Sequence, residues 1–518
     1  MRLPALLDAV AATVPYRLLG STDTAIQGIS FDTRRLQPGE LFVAVCEANR
    51  DGHQFIADAL ARGAAAIVAE REPTAPINVP LVLVDRSKRA LAYLADAFYG
   101  QPSRQLRLIG VTGTDGKTTT CELTAHLLRQ HGHTVGYLTT VSFDYGQGAE
   151  DNRSRQSTLE SPDIQAGLRR MLDNGCTTAV LEATSHALAL DRLTACSFDT
   201  AVVTNVTHEH LDFHGAWEAY LAAKAHLLEL VAESVSGKTG GKTAILNRDD
   251  RSYAHLRGHV PIAELSYGIQ GADVMAEAIA ESPTGTRFRL CTPWGAMTIH
   301  TTLVGQFNVY NCLAASAAAL VEGVALDTIK AGLATARPVA GRMERIDQGQ
   351  PFQVIVDYAH TADSLEKVLR VLRPGTPGKL IAVFGSAGER DRAKRPAMGA
   401  VAARLADYAV FTNEDPRRED AEAILDDIAV GALAAGAERG KAFTCIVDRR
   451  DAVAHAFALA RGGDTVLLAG KGHEQCMFVG EEKLPWDDRV VARELLSGRR
   501  VTPPSSPAPA MASGTASR

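Results

Sequence analysis

One stretch constrains this chain more than any other: Leu106 to Thr120, LRLIGVTGTDGKTTT. Leu106, Leu108, Ile109 and Val111 predict a short buried strand. Leu123, Leu127 and Leu128 recur at helical spacing after Thr118. Gly113 and Gly116 therefore lie between a strand and a helix N-terminus, the setting of a phosphate-binding loop. Backbone N–H groups there face an anion, Lys117 adds a positive charge for the β- and γ-phosphates, and the Thr118 hydroxyl is placed to hold Mg²⁺. The spacing is not the common one, because Val111 stands where G-x-x-x-x-G-K-[ST] has its first glycine. Asp115 beside a triphosphate either points away or acts through the metal.

A chain of 518 residues has room for two to four domains with their own cores. Its 46% hydrophobic and 22% charged content is that of a soluble globular enzyme. A net charge of −6 argues against a general nucleic-acid binder. The eight cysteines form no C-x-x-C pair, so they read as free thiols in a reducing cytosol. No signal peptide and no apolar run of membrane-spanning length is visible, and a cytoplasmic protein is expected.

The chain divides into three α/β domains and a tail. Residues 1–102 form a small α/β domain, with strands at 41–45, 65–68 and 81–84 and a helix over 54–62. Residues 103–336 form a P-loop-type domain with a mostly parallel sheet, with strands at 178–182, 200–205 and 244–247 and a buried alanine-rich helix over 313–321. Residues 337–496 form a Rossmann-like α/β domain with strands at 354–357, 380–384, 408–412 and 465–468. Gly385, Asn413 and Gly470 follow these strands, at the edge where open α/β sheets bind ligands. Residues 497–518, rich in Pro, Ser and Ala, read as a disordered tail.

Three further stretches offer metal ligands: Glu182 closing an apolar strand, the run His208 to His214, and Lys224. A strand-end carboxylate near a nucleotide loop suits Mg²⁺. The histidines invite a zinc reading, but no H-E-x-x-H is present.

Taken together the chain resembles the Mur ligases, ATP-dependent amide-bond-forming enzymes of peptidoglycan synthesis, and within them the UDP-N-acetylmuramoyl-tripeptide synthetases. The resemblance rests on ordered blocks: Asp32-Thr33-Arg34, Asp51-Gly52-His53, Thr112 to Thr119, Glu182 to His186, Asn205 to His214, Asn308 to Asn311, Gly341 to Glu344, Asp357 to Thr361, Phe384 to Arg395, Glu414 to Arg417 and Gly470 to Glu474. It implies ATP held by Thr112, Gly113, Thr114, Asp115, Gly116, Lys117, Thr118 and Thr119, with Asn308, Arg342, Asp357 and His360. It implies two Mg²⁺ held by Thr118, Glu182, His210 and a carbamylated Lys224. Lys117, Glu182, His210 and Lys224 would be catalytic. The substrate carboxylate would attack the γ-phosphate, and an amine would then attack the acyl phosphate, with domain closure excluding water. UDP-N-acetylmuramoyl-L-alanyl-D-glutamate would be held by Ser30, Asp32 and Arg34 of a uridine-binding first domain and by Ser157, Thr158, Ser185 and Arg192. Leu190 and Asp191 depart from the best-known members at this substrate. A monomer is expected, with neither nucleic acid nor membrane as partner.

The resemblance assigns the incoming diamino acid to Arg390, Asp415, Arg417, Gly470 and Glu474. The family motif Asp-Asn-Pro-Arg reads meso-diaminopimelate, whereas Glu414-Asp415-Pro416-Arg417 stands here. Arg417 retains the fork for a carboxylate. Asp415 in place of an asparagine should favour an ammonium by about 1 kcal/mol or more when desolvated, so lysine or ornithine is expected to compete with diaminopimelate. Related ligases, such as folylpolyglutamate synthetase, lack the Pro-Arg and Gly-Lys-Gly-His-Glu blocks. A regulator without chemistry would not need Lys117, Glu182, His210 and Lys224.

Overall fold

The computed structural model describes all residues except 22, 48–49, 155, 208–210, 236–237, 239, 283–284 and 499–518. His210 and residues 499–518 of the expected tail therefore lie outside the described residues, whereas Ser497, expected in the tail, closes a helix. The chain forms two compact units, Met1–Arg337 and Pro338–Arg518, the division falling one residue after the expected boundary. Among the described residues no helix is long and apolar enough to cross a membrane.

Among the described residues the first unit carries two large sheets and a two-stranded ribbon, Cys46–Glu47 with Arg50–Asp51. In the smaller of the large sheets, Ile29–Ser30, Leu41–Val43, Ala66–Ala69 and Leu81–Val84 run parallel, and Tyr16–Leu19 closes the edge antiparallel to Leu81–Val84. The helix expected over 54–62 is a 3₁₀ turn, Gly52–Phe55, followed by a short α-helix, Ile56–Ala61. The Asp51 side chain accepts from the His53 N–H, and this local bond tightens the first turn. Helix α1 (Ser87–Phe98) packs against the helices Leu3–Val10 and Ser161–Asp173.

The larger sheet is parallel through its middle. Strand β1 (Arg107–Thr112) leads through the glycine loop into helix α2 (Lys117–Gln130). Strands β2 (Thr178–Glu182) and β3 (Thr200–Val203) flank β1 on either side, both parallel to it. Each is a run of buried residues, as a strand covered on both faces requires. Helices α3 (Trp217–Glu233) and α4 (Gln306–Val321) cover opposite faces, since their buried residues join different core clusters. The strands Val274–Ser282, Gly285–Thr292 and Gly295–Thr301 extend the sheet as antiparallel hairpins that the sequence reading did not anticipate.

The second unit has a six-stranded sheet: β4 (Gln353–Asp357), β5 (Leu380–Phe384), β6 (Tyr408–Phe411) and β7 (Thr465–Ala469), with Glu344–Ile346 and Phe443–Cys445 at its edges. Its spatial order is β4, β7, β5, β6, all parallel. Helices α5 (Arg449–Leu459) and α6 (Asp488–Ser497) pack together beside it.

Asp96 on α1 is 3% exposed and its Oδ1 has no hydrogen-bond partner. Burial raises its pKa from 3.8 to about 7, against the pull of Arg104. The folded state thus holds a proton that the unfolded chain releases above pH 4. This contribution to stability is complete below that pH and is lost as pH rises through about 7. Asp96→Asn should flatten the fall in stability between pH 4 and 8 by about 2–4 kcal/mol. Urea unfolding at pH 5 and pH 8 measures it; parallel pH slopes for both proteins would contradict it.

Candidate nucleotide and ligase site

The phosphate loop closes at the carboxyl edge of the larger sheet. Gly113 has φ +147° and Gly116 has φ +84°, and neither has room for a side chain. A Cβ on Gly113 would stand 1.8 Å from Thr204 Oγ1, and one on Gly116 would stand 2.3 Å from Asn311 Oδ1. Positive φ and close packing together demand glycine at both places. Thr204 and Asn205 brace the loop from β3: the Thr204 hydroxyl and the Asn205 amide donate to the Asp115 carbonyl, and Asn205 Oδ1 accepts from the Asp115 N–H. Asn311 Oδ1 accepts from the Thr120 hydroxyl at 3.4 Å, which ties α4 to α2 behind the loop, and Asn311 Nδ2 donates to Asn308 Oδ1 within α4. Thr114 lies 3.1 Å from the Tyr220 hydroxyl and accepts from the Thr207 N–H. Thr112 Oγ1 is buried without a hydrogen-bond partner. Thr119, like Thr118, is buried in the first turn of α2.

Three of the residues expected at the metals, Thr118, Glu182 and Lys224, lie at this loop; His210 lies outside the described residues. Glu182 is 3% exposed, and its Oε2 accepts from the Thr118 hydroxyl at 2.8 Å and from the Thr140 N–H at 2.9 Å. Lys224 is 1% exposed, donates to the Gly113 carbonyl at 2.6 Å and lies 4.3 Å from the Tyr220 ring centre. Lys117 donates to the Thr114 carbonyl at 2.7 Å. A hydroxyl and a carboxylate within hydrogen-bonding distance are a hard-oxygen donor set that suits Mg²⁺. The Lys224 ammonium cannot ligate a cation; its carbamate could.

The residues expected at the uridine substrate are drawn into local pairs. Ser30 donates to the Asp32 carbonyl, and Arg34 forms a fork on the Asp32 carboxylate. His53 Nε2 accepts from the N–H groups of Glu70 and Arg71, so Nδ1 carries the proton that faces Asp51 and Cys46. That tautomer argues against a metal among these three side chains, although they lie close enough to hold one. Thr158 donates to the Glu182 carbonyl and so ties the substrate strip to the metal-facing strand. Ser157 is half-buried beside it, and Ser185, the first residue of a short helix, is buried. Arg192, expected to meet an anionic substrate group, is paired with Glu160 at 2.7 Å and donates to the Thr158 carbonyl. Lys88 joins Glu160 to Glu47, and Arg86 pairs with Asp191, so Asp191 binds the first sheet's domain.

In the second unit the loops after β6 and β7 meet. Lys471 is fully buried and bridges Asp415 (2.8 Å) and Glu474 (2.5 Å). Asp415 also accepts from the Phe478 N–H. Asp415, expected to favour an ammonium through its charge, is thus paired with a buried lysine. Burial pushes the Glu474 carboxyl up, with Lys471 pulling the other way. Glu414 is 7% exposed, and its Oε2 has no hydrogen-bond partner and would lie 2.7 Å from a Cβ on Gly470. Arg417 has φ +55° and its Nε is buried without a partner, whereas Arg390 is exposed. Arg342 lies 4.4 Å from the Tyr358 ring centre, Asp357 accepts from the Met343 and Ala359 N–H groups, and His360 Nδ1 lies 2.9 Å from the Tyr358 carbonyl. Thr204, Asn205, Asn311 and Lys471 were missed as site residues. The glycines at 113, 116 and 470 were the signal, since each marks a side chain pressed against backbone.

A parallel sheet with such a loop and a buried carboxylate on the neighbouring strand defines a protein that uses ATP for phosphoryl transfer. Residues 111–319 match the Mur ligase middle domain, 341–472 the Mur ligase glutamate ligase domain, and 25–99 the Mur ligase family catalytic domain. The chain is 48% identical over 482 residues to a UDP-N-acetylmuramyl-tripeptide synthetase of Roseiflexus sp., covering 91% of this chain and 94% of that one. It is 44% identical over 479 residues to a UDP-N-acetylmuramoyl-L-alanyl-D-glutamate–2,6-diaminopimelate ligase of Geobacillus thermodenitrificans, covering 92% and 96%. A solved structure of a ligase with that same name aligns with TM-score 0.65 at 29% identity, covering 96% of this chain and 99% of that one. The chain belongs to the Mur ligase family and is an ATP-dependent amide-bond-forming ligase of peptidoglycan-precursor synthesis.

Gly116→Ala should weaken ATP binding at least tenfold, about 1.4 kcal/mol, and lower the melting temperature as well, since a Cβ there meets Asn311 at positive φ. Titration with a fluorescent ATP analogue measures it; unchanged affinity would contradict the reading that the phosphate loop requires glycine at 116.

Proposed function

We propose that this enzyme joins a diamino acid to the D-glutamyl carboxylate of UDP-N-acetylmuramoyl-L-alanyl-D-glutamate. The observation that carries the reading is the convergence of Thr118 and Glu182 beside Lys117, with Lys224 of α3 donating to the Gly113 carbonyl of the same loop. Thr112 to Thr119 and Asn308 hold ATP, and Arg342, Asp357 and His360 are assigned to nucleotide contacts. Lys117 neutralises charge on the transferring phosphoryl group. The substrate carboxylate attacks the γ-phosphate, ADP leaves, and the amine displaces phosphate from the acyl phosphate. Ser30, Asp32, Arg34, Ser157, Thr158, Ser185 and Arg192 are assigned to the UDP precursor.

Thr118, Glu182, His210 and a carbamylated Lys224 would hold two Mg²⁺. When bound, the ions supply positive charge where the phosphoryl oxygens gain negative charge. Carbamylation converts the Lys224 donor into an anionic oxygen acceptor.

For the incoming amino acid, Arg417 is assigned to a carboxylate, and Glu414 and Glu474 to an ammonium. Lys471 and Arg417 supply two positive charges against the carboxylates Glu414, Asp415 and Glu474. An asparagine at 415 would make the set neutral, matched to zwitterionic diaminopimelate. Asp415 leaves one surplus negative charge, which suits a diamino acid of net charge +1. Lysine or ornithine then competes with diaminopimelate through charge balance. The names of the relatives favour diaminopimelate, so the two readings separate cleanly in one assay. ADP and phosphate release should require both the UDP precursor and an amino acid, with kcat/KM for L-lysine or L-ornithine within tenfold of that for meso-diaminopimelate. A hundredfold preference for diaminopimelate would end the charge-balance reading, and release without the UDP precursor would end the ligase assignment. In CO₂-free buffer the same assay should lose activity that bicarbonate restores; unchanged turnover would count against the carbamate.

A further inference from the structure

Strands β6 and β7 carry the two loops that meet around Lys471, yet they are not neighbours, because β5 lies between them. No ladder of backbone bonds between β6 and β7 can fix the distance from one loop to the other. Farther along, Lys471 bonds Asp415 and Arg417 pairs with Val479 through the backbone, and at the strand ends themselves a buried side chain spans the gap. Arg449, the first residue of α5, is buried to 1% exposure. Its Nη1 donates to the Asn413 carbonyl at 3.0 Å, and its Nη2 donates to the Ala469 carbonyl at 2.8 Å. Asn413 immediately precedes Glu414-Asp415-Pro416-Arg417, and Ala469 immediately precedes Gly470-Lys471-Gly472-His473-Glu474.

The guanidinium is itself held in place. Nε and Nη2 form a fork on Asp488 at 2.8 and 2.7 Å, with both side chains of the pair at 0% exposure. Trp486 Nε1 donates to the same carboxylate at 2.9 Å. Arg449 thus presents its donors to two carbonyls and one carboxylate in a fixed plane. Only a planar, multiply donating cation can do this; a lysine ammonium has neither the fork nor the reach. The contact lies at the strand ends, on Asn413 and Ala469, whereas Lys471 joins the loops farther along, at Asp415.

We propose that Arg449, oriented by Asp488, is a positioning residue for the amino-acid subsite. It sets the separation of the two loops that present Glu414 and Arg417 on one side and Gly470 and Glu474 on the other. The inference rests on the reading that these loops hold the diamino acid, and the test separates the two.

KM for the amino acid, for ATP and for the UDP precursor is measured with Arg449→Lys, Asp488→Asn and Arg417→Ala, beside circular dichroism and melting temperature. Arg449→Lys should raise KM for the amino acid at least tenfold, with the other two constants within twofold. Asp488→Asn, isosteric and milder, should raise it by a smaller factor in the same direction, and it reads the same quantity if Arg449→Lys fails to fold. Equal changes in all three constants, or an amino-acid KM left at the wild-type value in a folded variant, would overturn the positioning role. Arg417→Ala tests the subsite itself: if it leaves the amino-acid KM unchanged, the assignment of these loops fails whatever Arg449 does. If it raises that KM while the Arg449 and Asp488 variants do not, only the positioning role fails.

Discussion

The hydrogen bond from Thr118 to Glu182 is the constraint on which the first unit depends. It joins the first turn of α2 to the last residue of β2, and the register that places Glu182 opposite Val111 makes it possible. Parallel neighbours that end together leave one strand's turn and the other's terminal side chain at the same edge. Lys224 reaches the same turn from α3 through the Gly113 carbonyl. Three elements distant in sequence are therefore held at one loop by buried, charge-assisted contacts. Removing one partner of such a contact leaves the other buried and unsatisfied, which makes the arrangement stiff.

The second unit reaches its order by a different route. The two loops proposed to hold the amino acid spring from non-adjacent strands, and buried cations hold them. Lys471 is shared by Asp415 and Glu474, and Arg449 by Asp488 and two carbonyls. Arg395, also buried, bonds Glu419 and Asp427. Buried ion pairs contribute little net stability relative to apolar packing. Their use around one set of loops fits a need for fixed geometry and controlled charge, as the proposed amino-acid subsite would require.

Much of the fold was legible in the chain. β2, β5 and the strand Leu81–Val84 fall at the expected residues, because uniform apolar runs bounded by turn residues report fully buried parallel strands. Glu182 and the glycine loop were readable for a related reason: a carboxylate ending such a run, or a Gly-Lys-Thr after one, is out of place in a core. The antiparallel strands over 274–301 alternate apolar and polar residues with long charged side chains, which single-sequence patterns do not separate from loops. The role of Asp415 was illegible, because its partner Lys471 is 56 residues away and only tertiary packing brings them together. Arg449 gave no local signal at all, since an arginine opening a helix usually faces water.

The most direct measurement follows oxygen. The UDP precursor labelled with ¹⁸O in its D-glutamyl carboxylate is turned over with ATP and a diamino acid, and the released phosphate is weighed by mass spectrometry. Attack of that carboxylate on the γ-phosphate at the Thr112–Thr119 loop predicts one labelled oxygen in inorganic phosphate for each amide bond formed. Label retained wholly in the product, or carried into AMP, would contradict it.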